Sequence, residues 1–289
     1  MALSPPLLLL AALASPPALA AAAPPLPPPA IPSAPPVARG FAPVNGLSLY
    51  YEVHGPEGGT PLVLLHGGDP AIETTWAAAL PLLARTHRVI AFDQQGHGRT
   101  ADVDRPFTFE GSADDTAALL KHLGIDRADL VGFSNGATIA LEAAARHPRL
   151  VRRVVFISGM VKRDGLQPGF FEGMARATVA DVPPAYAAVY RATSPHPERL
   201  PSYFRKTADR LLAFRDWPDA RVKAVTAPTL VVAGDADVVR AEHAVALARL
   251  IPRARLAILP LTTHDAVLGA HAAWVVPMIE EFLAAPEPR

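Results

Sequence analysis

A serine stands between two glycines in Gly132-Phe133-Ser134-Asn135-Gly136. An apolar run, Ala128-Asp129-Leu130-Val131, precedes it, and a helix-like run from Ala137 to Ala145 follows. A serine on so tight a strand-to-helix turn has a strained backbone, small flanking residues and a hydroxyl pushed out above the sheet. The next helix points its first N–H groups at the place where negative charge would develop on an attacked carbonyl. The chemistry expected is nucleophilic attack by Ser134. The bland alternative is a Gly-rich turn that Ser134 merely caps.

A serine hydroxyl is a poor nucleophile at neutral pH, so it needs a base, and the base needs a carboxylate to orient it. Of ten histidines, only His264 directly follows the last expected strand. His122 and His147 end helices, His243 lies within one, His271 begins one, and His54 ends a hairpin strand. His264 is therefore the candidate base. Gly234-Asp235-Ala236-Asp237 offers two carboxylates after another strand. Asp237 lies farther into the loop and is preferred, with Asp235 left to brace the turn. The resulting order is Ser, then Asp, then His. Two oxyanion donors are expected: the backbone N–H of Asn135 and that of Gly68, in the loop His66-Gly67-Gly68-Asp69. The His66 side chain is expected to brace that loop. Asp69 is expected to point away from the developing charge or to cap the next segment.

These residues are far apart in sequence, so the elements must bring them together. Apolar runs at 61–65, 88–92, 129–133, 153–157, 229–233 and 255–259 read as strands covered on both faces. Helix-like segments lie between them at 75–84, 110–123, 135–146, 241–250 and 271–283. That alternation predicts an α/β fold, a mostly parallel sheet with helices on both faces. The strands' C-terminal ends then share one crevice. Asn45-Gly46 predicts a hairpin over 41–54. The alternation pauses over 160–222, which is rich in Pro, Arg and aromatic residues and too long for a simple loop. It is expected to be a small helical cap over the crevice, with the core formed by 41–159 and 223–289.

The 289-residue chain has 27 basic and 27 acidic residues and no cysteine. Neutral charge without a basic–aromatic stripe argues against nucleic-acid binding. The absence of cysteine excludes disulfides, thiolate catalysis and Cys-based metal sites. No paired spacing of His, Asp and Glu points to a metal. Residues 1–20 read as a signal peptide. An apolar core too short to span a bilayer is followed by Ala18-Leu19-Ala20, although no basic residue precedes Arg39. Residues 21–40 read as a Pro/Ala-rich linker. The expected destination is the periplasm or the exterior, with no stable membrane span after processing.

The motifs His66-Gly67-Gly68, Asp93-Gln94-Gln95-Gly96-His97-Gly98-Arg99-Thr100, Gly132-Phe133-Ser134-Asn135-Gly136, Gly234-Asp235-Ala236-Asp237 and Thr263-His264 resemble those of the α/β-hydrolase superfamily across roughly 41–285. The resemblance implies an eight-stranded sheet, a Ser134-Asp237-His264 triad and no cofactor. Its detail is closest to capped bacterial esterases and lactonases. Two departures stand out: many relatives have arginine where Gln95 stands and glycine where Ala137 stands. Losing that arginine removes a charge that often braces the loop. The expected function is an exported serine hydrolase acting on a small-molecule ester or lactone. The alternatives are an aminopeptidase-like amide hydrolase, which needs an acidic site for the substrate amine (Glu172, Asp181 and Glu198 form no recognisable cluster), and a non-catalytic ligand-binding homologue. The sequence does not fix the oligomeric state.

Overall fold

The computed structural model describes residues 34–265 and 267–286. The expected signal peptide and most of the linker lie outside the described residues. Eight strands form one sheet: β1 (Ala38–Val44), β2 (Leu47–His54), β3 (Leu62–Leu65), β4 (Val89–Phe92), β5 (Ala128–Phe133), β6 (Val151–Ile157), β7 (Thr229–Gly234) and β8 (Ala254–Leu259). Their order is β1-β2-β4-β3-β5-β6-β7-β8. β1 and β2 form an antiparallel hairpin closed by Asn45 and Gly46, both at positive φ, as a two-residue hairpin turn requires. β2 also runs antiparallel to β4. The remaining neighbours are parallel. β1 starts at Ala38, inside the segment read from sequence as linker.

The continuous apolar runs serve both faces of this sheet, because successive side chains point to opposite sides. Val63, Leu65, Leu130, Val154, Phe156 and Val231 join one buried cluster. Leu62, Leu64, Val131, Val155, Ile157 and Leu230 join the other.

The helices are α1 (Ile72–Trp76), α2 (Leu80–Leu83), α3 (Phe109–His122), α4 (Asn135–Arg146), α5 (Phe170–Arg176), α6 (Pro184–Thr193), α7 (Leu200–Leu212), α8 (Asp219–Lys223), α9 (Ala241–Leu250) and α10 (Ala272–Ala284). The single helix expected over 75–84 is instead two short ones. Pro81 sits in the first turn of α2, where its missing N–H is tolerated; within a continuous helix it would break the ladder. α1 begins early because Asp93 Oδ1 accepts the Ile72 N–H at 2.9 Å.

Helices α5 to α8 and three short 3-10 turns lie between β6 and β7. This insertion has an apolar centre of its own, in which Ala187, Tyr190, Leu200, Tyr203 and Phe204 pack around Phe107 of the core. It is tied down at its start, where Leu166 bridges Val239 and Gln167 N donates to Val238 O at 2.9 Å. No helix among the described residues is long and apolar enough to cross a membrane.

Candidate active site

Ser134 follows β5 and precedes α4 with φ 53° and ψ −120°. This is a strained conformation for a residue with a side chain. The flanking glycines are sterically required. A Cβ on Gly136 would lie 2.0 Å from Leu65 O, and one on Gly132 would lie 2.1 Å from Gly136 O. The turn thus packs directly against the end of β3. Gly67 carries the next loop to the same place, where a Cβ would lie 3.2 Å from Ser134 Cβ.

The loops after β7 and β8 bring Asp237 and His264 together. His264 Nδ1 is 2.7 Å from Asp237 Oδ1. Asp237 Oδ1 also accepts the Val239 N–H at 3.1 Å, and Oδ2 accepts from Ser158 Oγ at 2.5 Å. Burial alone would push the Asp237 carboxyl upward. The charge of His264 and these donors outweigh it, holding the pKa below the ordinary value. Burial likewise opposes a charged His264, but the Asp237 carboxylate prevails and raises the ring's pKa. Asp235, the other candidate, braces the turn by accepting the Thr262 N–H at 3.0 Å.

With Nδ1 bound to the carboxylate, His264 directs Nε2 elsewhere. That nitrogen is buried and has no hydrogen-bond partner. His264, Ser134 and Asn135 line one cavity. The side-chain Nδ2 of Asn135 is also buried without a partner. Both residues that carry these unpartnered atoms line this cavity. The cavity is about 20 Å³, room for roughly one water. Leu166, Phe170 and Leu211 of the insertion help close it.

At the first turn of α4, the Asn135 N–H precedes the intrahelical ladder and has no partner within the helix. Across from it, the Gly67 N–H is committed to Thr75 Oγ1 at 3.3 Å. Gly68 lines a neighbouring cavity with Tyr186, Tyr203 and Thr207. Its carbonyl accepts from the Tyr203 hydroxyl at 2.5 Å, which fixes this loop to the insertion. His66 braces the loop from below: its Nε2 accepts the Gln94 N–H at 3.0 Å, and burial drives its pKa down to about 4. Asp69 accepts from the Thr75 hydroxyl in α1, so it braces the next segment.

Ser158 escaped the sequence reading. It follows the end of β6 with φ 54°, and its hydroxyl supports the carboxylate that holds His264. Its only sequence signal is a polar residue just past a strand's C-terminal end.

The two departures from the superfamily pattern have local compensations. Gln95 Nε2 donates to Asp102 Oδ1 at 2.8 Å and to Arg105 O at 3.1 Å. The missing positive charge comes from the insertion, where Lys206 Nζ lies 2.7 Å from Asp102 Oδ2 and 2.9 Å from Arg105 O. The Ala137 methyl is accommodated by Gly159, where a Cβ would lie 2.7 Å from Ala137 Cβ.

The chain belongs to the α/β-hydrolase fold family, whose sequence profile matches residues 60–270. It is similar to 2-hydroxymuconate semialdehyde hydrolase of Pseudomonas sp. strain CF600, with 28% identity over 264 residues, 80% of this chain and 89% of that protein. It is 34% identical over 138 residues to RutD of Azorhizobium caulinodans, whose name refers to carbamate hydrolysis. That match spans 48% of this chain and about half, 51%, of that relative. The enol-lactonase of Burkholderia xenovorans LB400 shares the fold, with a TM-score of 0.68 at 21% identity, covering 85% of this chain and 100% of that one. Fold and relatives together define a hydrolase of small molecules.

Proposed function

We propose that the protein is an exported serine hydrolase that cleaves carboxylic esters or lactones through an acyl-enzyme on Ser134. The observation that carries this reading is the His264–Asp237 hydrogen bond, which leaves Nε2 buried and unpartnered on a residue that lines the same cavity as Ser134. Ser134 Oγ attacks the carbonyl while His264 takes its proton. The negative charge on the carbonyl oxygen is met by the N–H groups of Asn135 and Gly68, each worth about 3 kcal/mol of transition-state stabilisation. His264 then protonates the leaving alkoxide. Water enters, gives its proton to His264, and releases the acid.

Helices α5 to α8 act as a cap in this scheme. Leu166, Phe170 and Leu211 of this insertion line the cavity beside Ser134 and His264, where they shield the reacting atoms from water. Esters are favoured over amides of free amines because the cap offers no carboxylate cluster for an ammonium group. Glu172 and Glu198 are exposed, and Asp181 accepts the Thr178 N–H of its own turn. The test is hydrolysis of a short 4-nitrophenyl ester. Ser134→Ala abolishes turnover in a folded protein if the scheme holds; retained turnover overturns it. Faster cleavage of amino-acid amides than of matched esters would reverse the substrate preference.

A further inference from the structure

Gly68, whose N–H is assigned above to the oxyanion, joins two peptide units that need separate restraint. The first, between Gly67 and Gly68, carries that N–H. Its oxygen, Gly67 O, lies 3.0 Å from His66 Nδ1. His66 Nε2 accepts the Gln94 N–H, so Nδ1 carries the ring proton and donates. The peptide is trans and planar, so the Gly68 N–H points away from the His66 ring. The second unit, between Gly68 and Asp69, carries the Gly68 oxygen. Without a Cβ, Gly68 lets this second unit swing about the first.

The donor that holds the second oxygen comes from the insertion. Tyr203 of α7 gives its hydroxyl to Gly68 O at 2.5 Å, across 135 positions of sequence. The Tyr203 ring is 6% exposed. It is seated edge-on against His97 of the core, with centroids 5.0 Å apart, and against Tyr190 of α6 at 4.9 Å. A buried ring packed on two sides gives its hydroxyl one position, so the bond fixes the carbonyl rather than following it. Burial also pushes the pKa of this hydroxyl well above the ordinary tyrosine value, which keeps it a donor. Tyr186 of α6 lines one cavity with Gly68 and another with Asp69. Two helices of the insertion thus close over this one loop.

We infer that Tyr203 is a positioning residue for the oxyanion hole, so that the insertion completes a hole the α/β core alone leaves unfixed. By holding the Gly68 oxygen toward α7, it keeps the negative end of that carbonyl away from the charge developing on the attacked substrate. The Gly68 N–H is then the dipole that meets this charge. The inference deepens the hydrolase reading and rests on it for the role of Gly68. Tyr203 touches no reacting atom and acts only through the loop.

The test uses Tyr203→Phe, which keeps the ring and its packing and deletes the hydroxyl. Turnover of 4-nitrophenyl butyrate and binding of butylboronic acid are measured on the full chain. The boronic acid mimics the tetrahedral intermediate: Ser134 Oγ bonds to boron, its proton passes to His264, and boron becomes a tetrahedral anion. Removing a whole oxyanion donor costs about 10²–10³ in kcat, so a displaced one is expected to cost about ten- to a hundredfold. KM is little changed, and affinity for the boronic acid falls by the same factor as kcat/KM. The midpoint of the pH–rate profile does not move, because His264 and Asp237 are untouched. Tyr203→Met, whose flexible chain fills much of the same space, gives the same split between kcat and KM. Tyr190→Phe removes a hydroxyl from the same apolar centre and serves as the packing control, with kcat and boronic acid affinity at the wild-type level. Unchanged kcat and affinity in Tyr203→Phe, or an equal loss in Tyr190→Phe, overturns the proposal and leaves the hydrolase reading standing. A wild type that neither turns over the ester nor binds the boronic acid overturns the hydrolase reading and the proposal with it.

Discussion

Ser158 Oγ donates to Asp237 Oδ2 at 2.5 Å, so a residue beyond β6 helps hold the carboxylate that orients His264. Hydrogen bonds to charged groups contribute about 1.5–3 kcal/mol. Ser158→Gly removes the hydroxyl and tolerates the positive φ at this position. Its expected effect is a fall in kcat of about ten- to a hundredfold with little change in KM. Steady-state kinetics on a 4-nitrophenyl ester checks this, and an unchanged kcat would remove Ser158 from the positioning of the pair.

Under the proposed function, the raised pKa of His264 sets the acid limb of the pH profile. In the proposed mechanism the neutral ring is the base, so kcat/KM is expected to rise with pH through that pKa, with a midpoint above the ordinary histidine value of about 6.5. Asp237→Asn removes the carboxylate that raises it. The midpoint then moves to lower pH, while the rate falls by about 10⁴. The same shift links to stability: the His264 contribution is fully present below the unfolded histidine pKa and is lost as pH rises through the folded one. A pH–rate series on both proteins reads the midpoints directly.

Lys206 supplies from α7 the charge that Gln95 lacks. Lys206→Met leaves Asp102 and two carbonyls with fewer donors, and stability falls by about 1–3 kcal/mol. Gln95→Arg in the wild type places two cations on one acceptor set and destabilises it. In the Lys206→Met background the same change restores part of the loss. Denaturant unfolding of the four proteins gives the coupling.

Gly159 leaves room for the Ala137 methyl. Gly159→Ala brings a Cβ to 2.7 Å from both Ala137 Cβ and the Phe156 ring, and the expected cost is about 1–3 kcal/mol. Ala137→Gly relieves only one of these contacts, so the double variant recovers part of the loss. Thermal unfolding of both variants checks it.

The layout was legible where local pattern and tertiary demand agree. Runs such as Leu62-Val63-Leu64-Leu65 read as strands because both faces of β3 are buried, and the glycines around Ser134 announced a turn that tolerates no Cβ. Polar residues at strand ends then led to Asp237 and His264, which the structure joins. Other features depend on contacts that no local spacing encodes. Ser158 matters because β6 lies beside β7, and Lys206 reaches Asp102 across 104 positions. The single helix expected over 75–84 gives way to α1 and α2 because Pro81 fits the first turn of a helix but not its interior.

The most direct test of the account is intact-protein mass spectrometry after exposure to a fluorophosphonate, followed by peptide mapping. The account predicts one phosphonyl adduct, located on Ser134, whose formation slows as pH falls through the His264 pKa and is absent in Ser134→Ala. No adduct on the folded protein, or an adduct at another residue with Ser134 unmodified, would contradict it.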